Sequence, residues 1–165
     1  MTRADRKQKP RRSADRPPDV IQLKQLGMRG DSMNTVPDAD KIRAAAAAFD
    51  AAIEARDKER ALACFVDDCE VHVLAETVHG LDGAARWFDW MFRHVSHLRF
   101  DPVVIMVDGD TFFEEFICRG KLKKNGKLVE SKQSEVLIYD TEYKIKSLRL
   151  YFDRLDFAES VTQNK

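Results

Sequence analysis

The sequence predicts an α+β fold, with N-terminal helices packed on a curved, mainly antiparallel sheet. Three observations carry that expectation. Apolar residues recur at helical spacing as far as Val95, the period changes to two from Leu98 onward, and turn signals cut the second half into four long strands. The turns are Asp108-Gly109-Asp110, Asn125-Gly126 and Asp140-Thr141-Glu142-Tyr143.

Order is expected to begin near Pro37, where Asp38 or Asp40 can cap a helix running through Lys41, Ile42 and an alanine block to about Arg56. Ile42, Phe49 and Ile53 share one face of it. A second short helix is expected over Lys58 to Phe65, after Asp57. Val71 and Val73 alternate with Glu70 and His72 and read as a strand, and Gly80 closes the loop that follows. Asp82 is the expected cap of a third helix, from about Gly83 to Val95. Its Trp87, Phe88, Trp90, Met91, Phe92 and Val95 are too many large apolar groups for a surface stripe. Strands then follow over residues 98 to 107, 111 to 124, 127 to 139 and 144 to 153.

Read as a two-residue loop, Asn125-Gly126 sets Leu122 opposite Val129, Phe116 opposite Glu135 and Glu114 opposite Leu137. One face then carries Glu114, Phe116, Cys118, Ser131, Gln133 and Glu135. With a four-residue loop at the later turn, Lys146, Leu148, Leu150 and Phe152 join it, and the parity of the earlier turn adds Asp101, Val103, Ile105 and Val107. The opposite face holds Phe113, Glu115, Ile117, Arg119, Ser134, Val136 and Ile138, with Ile145, Arg149 and Tyr151. Both faces are partly apolar, so the one the helices leave uncovered is an expected homodimer interface, an exposed sheet being the alternative.

Composition narrows the function classes. A chain of 165 residues, 44% hydrophobic and 34% charged, is sized for one domain with a tail. Twenty-eight basic residues balance twenty-eight acidic ones, which argues against a nucleic-acid-binding body. Residues 1–37 are expected to form a disordered basic arm ahead of a domain over 38–160 and a flexible C-terminus over 161–165, with Met28 and Met33 as alternative starts of translation. Any nucleic-acid contact would belong to that arm alone. No apolar run reaches the roughly 18 residues of a membrane span, so no membrane partner and a cytoplasmic location are expected. Cys64, Cys69 and Cys118 lack zinc-like spacing, and phosphate-binding loops and nucleophile elbows are absent, so neither a metal nor a cofactor is expected.

The order of elements resembles the SnoaL-like group of the nuclear transport factor 2-like superfamily. The residues that carry the resemblance are Ala63-Cys64-Phe65-Val66-Asp67-Asp68, the strand Glu70 to Leu74, Val78-His79-Gly80, the aromatic third helix and Arg149-Leu150-Tyr151-Phe152-Asp153. It implies a cone-shaped α+β barrel, often dimeric, whose sheet and long helix enclose an apolar pocket. The first face would then point inward. Asp101, Glu114 and Glu135 would enter the pocket with Gln133, Ser131 and Cys118 beside them and Phe116, Leu148, Leu150 and Phe152 as wall, while Trp87 and Met91 would border it. Matched to ketosteroid isomerase, the catalytic aspartate falls on Val73, the oxyanion-hole tyrosine on Phe49 and the oxyanion-hole aspartic acid on Glu135; only the last keeps an acid. The arginine, aspartates and asparagine of epoxide hydrolase fall on Phe116, Cys118, Leu150 and Val73, and none is kept.

The expected function is therefore the binding of a small apolar ligand, with acid-base chemistry of cyclase or isomerase type on a carbonyl compound. Glu135 would be the hydrogen-bond donor and Glu114 or Asp101 the base. Lys146, diagonal to Glu135 on the same face, could instead neutralise it in a structural ion pair. His72 would become the base if its strand bulged enough to turn it inward. The alternative is a non-catalytic dimeric binding or scaffold module.

Overall fold

The computed structural model describes residues 37–157. Apart from Pro37, the expected basic arm, and the whole of the expected C-terminal segment 161–165, lie outside the described residues. Helix α1 spans Ala39–Ala55, and the Asp38 carboxylate caps it by accepting the backbone N–H groups of Asp40 and Lys41. It ends at Arg56, held in the left-handed region (φ 60°). Helix α2 (Lys58–Leu62) is shorter than expected, because Phe65 already pairs with Ile145 and opens strand β1 (Phe65–Val73). Strand β2 (Glu76–His79) was not anticipated. Helix α3 runs from Gly80 to His94, so Asp82 lies in its first turn rather than at the cap, where its charge suits the helix dipole.

The remaining strands are β3 (Val95–Asp108), β4 (Thr111–Leu122), β5 (Leu128–Tyr139) and β6 (Ile145–Phe152), followed by a single 3-10 turn over Arg154–Phe157. They form one sheet in the order β2-β1-β6-β5-β4-β3, antiparallel except where β1 runs parallel to β6. Helices α1 and α3 contact this sheet. Ile42, Ala46, Phe49 and Ile53 of α1 are buried with Phe88 and Phe92 of α3. Phe65 links the two helices, its ring 5.4 Å from Phe49 and 6.0 Å from Phe88, both edge-on.

Three registers differ from the sequence expectation. The Asn125-Gly126 loop contains four residues, closed by the Leu122 N–H on the Lys127 carbonyl at 2.9 Å. Every partner on β5 therefore moves by two, the faces keep their parity, and Glu114 stands directly opposite Glu135. In β3 the ladder slips between Pro102 and Val104. Proline has no N–H to give a ladder, and the slip there reverses the face of the residues before it, back to a further slip between Ser96 and Arg99. Asp101 consequently pairs with Ile117 on the outer face, and Val103 is left exposed, whereas Ile105 and Val107 keep the Glu114 face. A second slip, between Ile138 and Tyr139, makes Lys146 the extra residue of β6. Ile145, expected outside, is buried against the core, and the Lys146 ammonium turns out to lie 3.8 Å from Asp110.

Candidate functional site

The inner face of the sheet and helices α1 and α3 enclose a hollow. From α1 it is lined by Phe49, Asp50 and Ile53, and from α3 by Trp87, Trp90 and Met91. Strands β4, β5 and β6 contribute Phe116 and Cys118, Gln133 and Glu135, and Leu148, Leu150 and Phe152. Val95, Leu98 and Phe100 of β3 and Phe157 complete the wall. The space between the walls, the open mouth included, is about 690 Å³, but the cavity volume is only about 70 Å³. That is room for about two waters. A ligand must be small, or the wall must move.

Of the residues singled out in the sequence, nine line this hollow: Phe49, Trp87, Met91, Phe116, Cys118, Gln133, Leu148, Leu150 and Phe152, together with the acid Glu135. Glu114 is 2% exposed and sits on the same face directly beside Glu135. Ser131 is buried opposite Cys118, and Val73 packs on the core opposite Leu150, but neither lines the cavity. Asp101 does not join the acids, for the Pro102 slip turns it outward, where it pairs with Arg119 at 56% side-chain exposure. His72 stays outside too. Although β1 is irregular between Phe65 and Glu70, Val71 remains the buried residue and His72 faces away, its ring nitrogens 2.9 Å from Thr77 Oγ1 and 3.3 Å from Glu70 Oε2.

Sequence reasoning missed Asp50. It follows Phe49 on α1 and lies four residues after buried Ala46 and three before buried Ile53, a spacing that turns a carboxylate toward the core. One carboxyl oxygen from each of Asp50, Glu114 and Glu135 lies within 4.8 Å of the other two. No sequence spacing announces this group, since its members come from α1, β4 and β5. As three hard oxygen donors they could contribute half of an octahedral cation site, though the apolar wall offers few further ligands.

Burial governs the acids' proton affinity. It lifts Asp50 from 3.8 to about 7, with smaller contributions from the charges of Glu114 and Glu54. Glu114 rises from 4.5 to about 7 by burial alone. Glu135 is pushed well above the usual carboxylate range, first by burial and then by Asp50 and Glu114. The Tyr139 phenol is raised by burial and by the same acids, and burial lifts the Cys118 thiol to about 12, which removes it as a thiolate nucleophile. Among the described residues no hydrogen-bond partner reaches Glu114 Oε1, Glu135 Oε1 or Tyr139 Oη. Glu54 is otherwise engaged: it accepts the Phe100 N–H at 2.8 Å and pairs with Arg99 at 2.6 Å. Near neutral pH the group is therefore only partly ionised. A protonated member can donate to a carbonyl oxygen, and an ionised one can accept a proton.

The family model described as a SnoaL-like domain matches residues 45–141, which include all three acids. A search of curated proteins returned no match. Among solved structures, the chain is similar to a nuclear transport factor 2-like protein from Burkholderia xenovorans, at 20% identity and TM-score 0.64 over 76% of this chain and 98% of that one. It is also similar to an epoxide hydrolase from M. tuberculosis, at 21% identity and TM-score 0.63 over 76% and 92%. A third similar structure is the epoxide hydrolase/cyclase-like enzyme SalBIII of pyran ring formation in salinomycin, at 16% identity and TM-score 0.65 over 72% and 95%. At these identities the likeness is one of fold.

Proposed function

The chain belongs to the SnoaL-like domain family, and on that premise we propose that its hollow binds a small apolar carbonyl compound and acts on it by acid-base chemistry of the cyclase or isomerase type. The observation that carries this reading is the gathering of Asp50, Glu114 and Glu135 at the hollow's acidic end, with proton affinities lifted toward neutrality. Glu135, which lines the hollow and is held well above the usual carboxylate range, is the hydrogen-bond donor to the carbonyl oxygen. Asp50, which also lines the hollow, takes the role of base, with Glu114 beside Glu135 raising the proton affinity of both. As ionisation of one acid is opposed by its neighbours, one proton can remain while another is removed from the substrate.

The test is a thermal-shift screen of small hydrophobic ketones and enones, followed by Glu135→Gln and Asp50→Asn. Binding that needs Glu135 protonated should weaken once pH rises far enough to ionise that acid, well above the usual carboxylate range. Identical responses from wild type and both variants to every compound would end the proposal. A second reading, a non-catalytic module of the same fold, draws support from the tightness of the interior. It expects no compound of this class to shift unfolding. In either case the outer sheet face is the proposed homodimer interface, since Val104, Met106 and Tyr151 are exposed there beside Phe113, Ile117 and Val136. Met106→Lys with Tyr151→Lys should then yield monomers in sedimentation, and a wild type that is itself monomeric would refute it.

A further inference from the structure

The hollow is acidic, and among the described residues no counter-charge lines it. Every charge acting on Asp50 and Glu135 is that of another acid. Among the described residues no Lys, Arg or His lines the cavity, and the nearest candidates are spent elsewhere. Lys146 turns to Asp110, Arg99 pairs with Glu54, and Arg56 donates to the backbone carbonyls of Phe92 and Val95. A second feature is independent of the acids. The Tyr139 hydroxyl, 1% exposed and on the same face of β5 as Glu135, has no hydrogen-bond partner among the described residues and lies near enough to feel all three carboxyl charges. A phenol oxygen can accept as well as donate. The acidic end thus presents Asp50 from α1 and Glu135 from β5 to the cavity, with Glu114 and the Tyr139 hydroxyl close beside them.

The rest of the wall is aromatic, with Phe49, Trp87, Trp90, Phe100, Phe116 and Phe152 around the space. Ring faces attract cations, and the attraction grows where water is excluded. A hydrated divalent metal suits such a wall poorly, because three carboxylates supply only part of its oxygen shell. An ammonium group with a short hydrocarbon chain suits it well: up to three N–H donors for the acceptors, and apolar carbons for the rings. The cavity volume of about 70 Å³ has room for the ammonium nitrogen and about two carbons, the rest of a short chain lying toward the mouth.

We propose that this hollow takes a small organic ammonium ion, its nitrogen seated against the carboxylates of Asp50 and Glu135 and its hydrocarbon part among the aromatic rings. The proposal shares with the function above only the hollow as binding site, not the carbonyl chemistry. The titratable groups facing the site are Asp50 and Glu54 of α1, Glu114 and Cys118 of β4, and Glu135 and Tyr139 of β5, with Cys64 near Tyr139. Ammonium binding needs an ionised acid, so it expels a proton and strengthens as pH rises through about 7, opposite to a carbonyl ligand.

The experiment is calorimetric titration of the full chain with n-butylammonium and with n-butanol as its neutral counterpart, at about pH 6 and about pH 8 and in buffers of different ionisation enthalpy. Expected results are about tenfold tighter butylammonium binding at the higher pH, proton release on binding, and loss of affinity in Asp50→Asn and Glu135→Gln. The wild-type pH comparison stands even if a variant fails to fold. Butanol binding as tightly as butylammonium, affinity falling as pH rises, or a magnesium or manganese ion binding where butylammonium does not would each overturn it. Ketones that bind while amines stay inert would sink this inference alone; amines that bind while ketones do not would sink only the carbonyl reading.

Discussion

Glu114→Gln tests the electrostatics of the hollow without any ligand. The side chain is 2% exposed, and its carboxyl group rises from 4.5 to about 7 on folding because burial disfavours the charge. Between those values the folded protein holds a proton that the unfolded chain has released. The stability contributed by this group is therefore full below about pH 4.5 and gone above about pH 7. At about 1.4 kcal/mol per pH unit, the change across the window is about 3 kcal/mol. Glutamine does not titrate, so the variant should lose about 3 kcal/mol less than wild type between about pH 4.5 and about pH 8. The comparison is made within each protein across pH, and any fixed cost of burying the amide cancels. Glu114 also raises both Asp50 and Glu135, so its removal should flatten the profile further. Urea unfolding followed by the fluorescence of Trp87 and Trp90 measures this directly. Parallel pH profiles for the two proteins would refute a buried, uncompensated carboxyl at this position.

Asp50→Asn should likewise raise the unfolding midpoint at about pH 8 while changing it little near pH 4, because this acid too goes from 3.8 to about 7 on folding; a lower midpoint at about pH 8 would contradict its placement. Asp101→Asn, on an exposed pair with Arg119, should alter stability by less than about 1 kcal/mol and leave every ligand response unchanged. Gly120→Ala would set a Cβ 2.6 Å from Val95 Cγ1 in the buried inner face, and a loss of about 1–3 kcal/mol in chemical denaturation is expected. Arg56→Ala removes the guanidinium that serves the Phe92 and Val95 carbonyls and stacks 5.0 Å from the Phe92 ring, and a loss of about 2 kcal/mol should appear in the same assay.

Much of this arrangement was legible because strand parity survives errors of loop length. Glu114 and Glu135 share a face whether their hairpin closes with two residues or four, and the structure merely brings them from diagonal to directly opposed. Parity fails where the ladder slips by one. Asp101 and Lys146 were misplaced by single-residue slips, the first beside Pro102, whose missing N–H marked the spot. The second has no such mark in the sequence. His72 followed the alternation of β1 and faces away. Asp50 was hidden for a different reason. On a helix made largely of alanine, a carboxylate reads as a solvent-facing residue, and only its spacing to Ala46 and Ile53 ties it to the buried face. Periodicity assigns faces; which polar residues meet across a hollow depends on how helix and sheet dock.

Three acids of this kind weaken the fold at neutral pH. Amides at Asp50, Glu114 and Glu135 would remove the repulsion and most of the desolvation cost, and a domain of this size has only about 5–15 kcal/mol of stability to draw on. A stable interior alone does not call for them. What they provide is a group whose charge is undecided near pH 7, and a ligand resolves it in one of two directions. A carbonyl oxygen accepting from Glu135 stabilises the protonated form and draws a proton in; an ammonium ion stabilises the carboxylates and drives one out. The number and sign of protons exchanged on binding therefore identify the ligand's chemistry before its structure is known. A bound molecule that left the proton count unchanged between about pH 6 and about pH 8 would have to sit in the hollow without touching the acids at all.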